Sequence, residues 1–229
     1  MNILAIVPAR GGSKGIPNKN IINVSGKPLI SYTIEPALKA LKMGIIQELI
    51  VSTDSNAIAD VAISLGAKVP FLRPSELATD QSKSIDLIQH ALDYFAANNQ
   101  TFDAVLLLQP TSPLRHLQDI INAVESYKKS NNDSLISAYK EEYINDLVLY
   151  HLEPDGKTSK PLNHLHNKGI RRQDHGHVYV RNGCIYLTST SLIQSGFVIG
   201  EKPLLYVMEK KQSINIDTPE DLDIIKAYL

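Results

Sequence analysis

Cysteine is almost missing from this chain: one, Cys184, occurs in 229 residues, which excludes an internal disulfide and any zinc site built on several thiolates. An excess of either charge is missing too. With 23 basic and 24 acidic side chains, no long-range field draws the protein to nucleic acid or to an anionic membrane, and neither is expected as a partner. Any cationic site must be local. Long hydrophobic runs are absent: Ala104-Val105-Leu106-Leu107-Leu108 falls far short of the roughly 20 residues that cross a bilayer. Met1-Asn2 leads straight into an apolar run with no signal peptide between, so a cytoplasmic location is expected. There is no internal repeat and no low-complexity tract. What is present is a 43% hydrophobic chain, enough to bury a sizeable core, and we read residues 1–229 as a single domain.

The periodicity reads as strands alternating with helices. Ile3-Leu4-Ala5-Ile6-Val7 is a buried strand, and apolar residues at helical spacing (Leu29, Thr33, Ala37, Ala40, Leu41) predict a helix over 29–43, ended by Gly44. Strand 49–53 follows, then helix 56–65, capped by Asp54-Ser55 and stopped before Gly66. Further on come a short strand at 68–71, a loop, a helix over about 84–98, the most apolar strand at 104–108, a helix over 119–129 and a strand at 134–139. After the midsection, strands are expected at 184–187, 204–208 and 213–216, and a helix over 218–229 with Thr218 as cap and Pro219 in its first turn. This rhythm predicts an α/β fold with a mainly parallel sheet. Cys184, inside the apolar run Gly183-Cys184-Ile185-Tyr186-Leu187, reads as a buried structural thiol rather than a nucleophile.

Between 140 and 180 the composition turns polar, with five of the seven histidines and no long periodic element. We read this stretch as an inserted lid or an arm that packs on another subunit. Its pairs His164-Leu165-His166 and His175-Gly176-His177 lack a carboxylate or thiol at ligand spacing, so no metal is assigned to them.

Chemistry enters with Val7-Pro8-Ala9-Arg10-Gly11-Gly12-Ser13-Lys14-Gly15-Ile16-Pro17-Asn18-Lys19-Asn20, where the first strand runs into a glycine-rich loop. Arg10, Lys14 and Lys19 have no acid beside them, and glycines let backbone N–H groups turn toward an anion, so the loop suits a polyphosphate. A merely solvated turn would have the same composition. Neither the P-loop nor the Gly-x-Gly-x-x-Gly spacing is present. The other strand ends deliver Arg73-Pro74, then Gln109-Pro110-Thr111-Ser112-Pro113 and Asn215-Ile216-Asp217. Amides can read a base, hydroxyls can hold a ribose, and carboxylates can hold Mg²⁺ beside phosphates. If 213–216 is a strand, alternation places Asn215 and Asp217 on one face, where both could meet one ion. A helix-cap role for Asp217 is the alternative.

Taken together, Pro8-Ala9-Arg10-Gly11-Gly12-Ser13-Lys14-Gly15, Asn18-Lys19-Asn20, Gly26-Lys27-Pro28-Leu29, Ser52-Thr53-Asp54, Phe71-Leu72-Arg73-Pro74, Leu108-Gln109-Pro110-Thr111-Ser112-Pro113-Leu114-Arg115, Arg171-Arg172-Gln173, Asn182-Gly183-Cys184-Ile185-Tyr186 and Ile216-Asp217-Thr218-Pro219-Glu220-Asp221 resemble the acylneuraminate cytidylyltransferases, the CMP-sialic acid synthetases. The likeness runs in order from Ile3 to the last helix. It implies a Rossmann-like three-layer α/β/α nucleotidyltransferase fold, a homodimer formed through the 140–180 arm, and the conversion of CTP and a sialic-acid-like nine-carbon sugar acid into CMP-sugar and pyrophosphate with Mg²⁺. It also implies roles. Arg10, Lys19 and Asp217 would be catalytic, with Lys19 stabilising charge on the α-phosphate. Arg10, Gly11, Gly12, Ser13, Lys14 and Lys19 would bind the triphosphate, and Asn20, Arg73 and Ser84 the cytosine and ribose. Gln109, Thr111, Arg172 and Tyr186 would face the sugar, with Arg172 reaching its carboxylate. Asp217 and Asn215 would hold the metal.

Two positions depart from the family pattern. Asp-x-Asp commonly precedes the final helix, and here Asn215, a neutral and weaker ligand, takes the first place. Residues 141–146 also lack a lysine that some sialic acid enzymes carry, leaving legionaminic and pseudaminic acids as further candidates. The alternatives are an enzyme for an eight-carbon Kdo-type sugar and a catalytically silent nucleotide-binding protein.

Overall fold

The computed structural model describes residues 1–13, 15–171, 174 and 176–229. Five strands share one direction in a six-stranded sheet: β1 (Ile3–Pro8), β4 (Glu48–Ser52), β5 (Ala104–Leu108), β6 (Ser134–Glu141) and β10 (Leu204–Met208). The sixth, β9 (Val178–Ser189), runs against its neighbours, and the order is β10-β6-β9-β5-β1-β4. The small antiparallel pairs β2 (Asn23–Val24) with β3 (Lys27–Pro28), and β7 (Tyr150–Leu152) with β8 (Ser159–Pro161), lie outside this sheet.

Strand pleating divides the apolar residues between two layers. Ile3, Ala5 and Val7 of β1 pack in one core with α1 (Ser31–Lys42), α2 (Asn56–Ser64) and α4 (Leu117–Lys128). Leu4 and Ile6 pack in a second core with α3 (Ser84–Ala97) and the short α5 (Thr190–Gln194). Strands covered on both faces have no polar side to show, which is why β1 and β5 read as unbroken apolar runs. The result is the mainly parallel α/β/α arrangement expected from the sequence.

A third, smaller cluster sets the position of the site. Ile16 of the glycine loop, Leu114, Ile216, and Leu222 and Ile225 of α6 (Pro219–Lys226) are buried together. They press the segment before α6 across the carboxyl end of the sheet, and the Ile216 N–H donates to the Thr111 carbonyl at 2.9 Å. The strand expected at 213–216 therefore does not form. Lys210–Ser213 is a 3-10 turn, and Ile214 to Asp217 is a strap across strand ends.

Other boundaries moved for local reasons. Strand 68–71 reduces to isolated bridges, Ile50 with Lys68 and Thr53 with Leu72, because Pro70 has no N–H to give a ladder. β9 extends well beyond 184–187, since the ladder with β6 passes an irregularity beside Gly183, whose φ is +74°. The polar stretch after β6 leaves the sheet, carries the β7–β8 hairpin and rejoins the sheet at β9. Among the described residues no helix is long and apolar enough to cross a membrane.

Candidate active site

A cleft of about 430 Å³ opens where β1 and β5 end, the usual ligand position of an open α/β sheet. Arg10, Ser13, Gly15, Lys19 and Asn20 form one wall, and Gln109, Pro110, Thr111 and Asp217 line it from the later part of the chain. Arg73, the 77–80 segment, Ser82 and Ser84 close it on the side where α3 begins.

The glycine loop is held by one side chain of its own and one from just beyond the end of β4. Asn20, buried in the 3-10 turn Lys19–Ile21, donates from Nδ2 to the Arg10 carbonyl at 3.0 Å, and the Gly11 N–H donates to Asp54 Oδ1 at 2.9 Å. Gly15 cannot carry a side chain, because a Cβ there would stand 2.5 Å from the Asp217 carbonyl oxygen. The glycine is thus needed for close approach between loop and strap.

Three cations converge on the cleft. Arg10 Nη2 pairs with Asp80 Oδ1 at 2.8 Å, and Lys19 Nζ donates to the Ile216 carbonyl at 2.8 Å and to Asp217 Oδ1 at 3.1 Å. Arg73 is 4% exposed, its Nη2 stands 4.0 Å from Asp54 Oδ1, and its Nε is buried with no partner among the described residues. Burial lowers the Arg73 pKa, the Asp54 carboxylate opposes that shift and Arg10 adds to it, while the guanidinium stays protonated in neutral solution. These cations, spread around one concave surface, suit a ligand carrying several negative charges.

Residues 4–228 match the sequence model of the cytidylyltransferase family. The chain belongs to that family. CMP-N,N'-diacetyllegionaminic acid synthase of Legionella pneumophila is 40% identical over 228 residues, covering 96% of this chain and 93% of that protein. Pseudaminic acid cytidylyltransferase of Campylobacter jejuni is 35% identical over 227 residues, covering 99% and 95%. A solved structure of CMP:2-keto-3-deoxy-manno-octonic acid synthetase complexed with CTP superposes with a TM-score of 0.72 over 100% of this chain and 98% of that one, at 15% identity, a likeness of fold.

In this cytidylyltransferase the structure gathers Arg10, Ser13, Lys19, Asn20, Arg73, Ser84, Gln109, Thr111 and Asp217 around one cleft. Gly11 and Gly12, in the same loop, are not among the residues that line it. Tyr186 sits within β9, off the cleft lining, with the Arg181 guanidinium 5.9 Å from its ring centroid. Lys14 and Arg172 lie outside the described residues, as does His175.

Asn215 and Asp217 do not share an outlook. Without a strand there is no alternation to align them. The Asn215 amide oxygen accepts from Ser112 Oγ at 2.6 Å, and its nitrogen donates to the Asn182 carbonyl at 2.7 Å, so both ends are engaged within the fold. Asp217 is an exposed carboxylate at the cleft. Among the described residues no group of three or more His, Cys, Asp or Glu side chains is placed to cage a metal. Cys184 is fully buried, and burial pushes its thiol pKa up, as befits a structural position.

The sequence pointed to Asp54 only as a helix-cap residue and to no role for Asp80. Asp54 ends the run Ser52-Thr53-Asp54 and reaches back to both the glycine loop and Arg73. Asp80 follows Arg73 by a few residues in a loop with no periodicity. Asp54 lies between a strand end and a helix start, Asp80 in a turn ahead of α3, and the pairing of either with a cation is visible only in three dimensions.

Proposed function

We propose that this cytidylyltransferase activates a sialic-acid-like nonulosonic acid: CTP and the nine-carbon acid sugar give the CMP-sugar and pyrophosphate. The observation that carries the reading is the cleft at the carboxyl end of β1 and β5, where Arg10, Lys19 and Arg73 surround a space lined on its other wall by Gln109 and Thr111. Nearly full-length relatives named for pseudaminic and legionaminic acids support this class of sugar.

In this mechanism the anomeric hydroxyl attacks the α-phosphorus and gives up its proton to water, the bond from that phosphorus to the α–β bridging oxygen breaks, and pyrophosphate leaves. Such a reaction depends on holding two reactants in line and neutralising charge on phosphoryl oxygens, rather than on a covalent intermediate. Arg10 and Lys19 exchange their carboxylate partners for phosphate oxygens, and Lys14 joins them. Asn20, Arg73 and Ser84 hold the nucleoside. Gln109 and Thr111 orient the sugar, with Tyr186 and Arg172 as its remaining contacts, the latter through bidentate contact with the carboxylate. Mg²⁺ fits Asp217, since that ion is usually held by one or two carboxylates with waters and substrate phosphates, and it would supply charge neutralisation at the phosphates. Asn215, already engaged with Ser112 and Asn182, keeps the strap in place. The protein works as a homodimer, formed through the segment between β6 and β9.

Purified protein incubated with CTP, Mg²⁺ and a panel of pseudaminic, legionaminic, neuraminic and Kdo acids tests the reading. Mass spectrometry should find a CMP-nonulosonate, with matching pyrophosphate release. CTP binding without product from any sugar would favour a silent nucleotide-binding protein, and product from Kdo alone would favour the eight-carbon class.

A further inference from the structure

Beneath the loop that follows β5 lies a buried cation whose hydrogen-bond acceptors, among the described residues, are all neutral. Arg115 is 2% exposed, and its Nη1 donates to the Cys184 carbonyl at 2.6 Å and to the Gln109 carbonyl at 3.3 Å, while Nη2 donates to Thr33 Oγ1 at 2.7 Å. All three acceptors are neutral. Asp119, in the first turn of α4, acts on the guanidinium only through space, and none of the ion pairs among the described residues includes Arg115. Its pKa, brought down to about 10 by burial, still leaves it charged near neutrality. An uncompensated buried cation is costly, and an apolar side chain of similar volume would fill the space without that cost. What an apolar side chain cannot do is orient a carbonyl.

The carbonyl in question is that of Gln109. It accepts from Arg115, from Thr33 Oγ1 at 3.4 Å and from the Ser112 N–H at 3.4 Å. Three donors from α1, the loop and the buried cation thus meet at one peptide, just where the chain leaves β5. The side chains that this peptide directs, Gln109 and Thr111, line the cleft, whereas Arg115 does not. Through Cys184 the same guanidinium is fastened to β9.

We propose that Arg115 is a positioning residue, clamping the loop 109–115 to β9 and α1 through the Gln109 carbonyl so that Gln109 and Thr111 meet the acid sugar in a fixed orientation. Thr33 is its partner. The inference rests on the proposed assignment of Gln109 and Thr111 to the sugar side.

The test compares wild type with Arg115→Met, Arg115→Lys and Thr33→Val in two readouts. In the ligand-free protein, hydrogen exchange at the amides of 109–115 should quicken about tenfold or more in Arg115→Met, with β5 and β1 unchanged. In steady-state turnover the KM for the sugar should rise roughly tenfold to a hundredfold while that for CTP stays within about twofold, because misplacement of an orienting group by about 1 Å can cost two orders of magnitude. Arg115→Lys, which keeps a charged donor, should recover part of the loss. If Arg115→Met does not fold, Thr33→Val must still show the faster loop exchange and a smaller rise in sugar KM. Unchanged loop exchange in both variants, or equal rises in both KM values, would overturn the proposal. Wild-type turnover in the same assay reports on the sugar-activating reaction itself, and the exchange readout does not depend on it.

Discussion

Lys19 occupies the most demanding position in the cleft. Its side chain is mostly shielded, and Nζ reaches both the Ile216 carbonyl and Asp217. Once Asp217 has been exchanged for phosphate on binding, a shielded ammonium needs little further reorganisation as charge builds on an α-phosphate, and removing one such preorganised donor typically lowers kcat by about 10²–10³. Its contribution to folding is smaller. The Asp217 carboxylate of the pair is 74% exposed, and such pairs contribute roughly 0–1 kcal/mol. The apolar cluster below holds the strap more strongly, because each fully buried Ile or Leu side chain contributes about 1.5–3 kcal/mol. Lys19→Ala should therefore lose turnover by about two orders of magnitude or more, with its thermal unfolding midpoint nearly unmoved. Turnover at the wild-type rate would refute the assigned role, and a large drop in midpoint would make Lys19 a structural residue.

Elements differ in how far the sequence revealed them. Ser55 accepts from the Ile58 N–H and starts α2, and Thr218 with Asp221 starts α6, so helix caps were legible as residue types at fixed offsets. β1, β4 and β5 were legible because burial on both faces demands unbroken apolar runs. The strap 214–217 was not. Its apolar residues alternate as in a strand, but Ile216 is spent on the third core cluster and its N–H on Thr111. The cations of the site stood out in the sequence. Their carboxylate partners Asp54 and Asp80, and the buried Arg115, did not, since a charge's partner is fixed by tertiary contact. At the far end of β6, Glu141 Oε2 meets Lys210 Nζ at 2.9 Å and joins β6 to the turn that leads into the strap. The bond from Lys210, then the Tyr143 N–H, hold the Glu141 pKa at about 2, below its ordinary 4.5. Folding thus favours the charged carboxylate: its stabilisation is complete above pH about 4.5 and is lost as pH falls toward about 2. Denaturant midpoints measured across that window should show wild type and Glu141→Gln converging as acid is added, whereas a constant gap would mean that the ion pair does not set the acid limb.

For the whole molecule, the distribution of exposed apolar surface is uneven. Outside the sheet, between β6 and β9, Tyr143, Ile144, Val148, Tyr150, Leu152 and Leu162 are all exposed, with Leu152 at 68% and Val148 at 57%. Scattered apolar residues need no explanation, but a concentration in one segment outside the main sheet is characteristic of an interface. A stable protein interface covers about 800 Å² per partner, or roughly 20–30 residues a side, and the segment from 142 to 177 is long enough to supply it. A second copy of this chain is the proposed occupant. It follows that light scattering should give about twice the monomer mass of 25.3 kDa, and that the double variant Val148→Asp, Leu152→Asp should run as a monomer with an unfolding midpoint set by the intact sheet. A wild-type monomer at every concentration would overturn the dimer. Because Arg172 belongs to the same segment of sequence, dimerisation and sugar binding are expected to be linked. If the arm delivers Arg172 to the partner's cleft, the monomeric variant should keep its affinity for CTP and lose most of its affinity for the acid sugar, whereas unchanged sugar KM in a proven monomer would place each active site within a single chain.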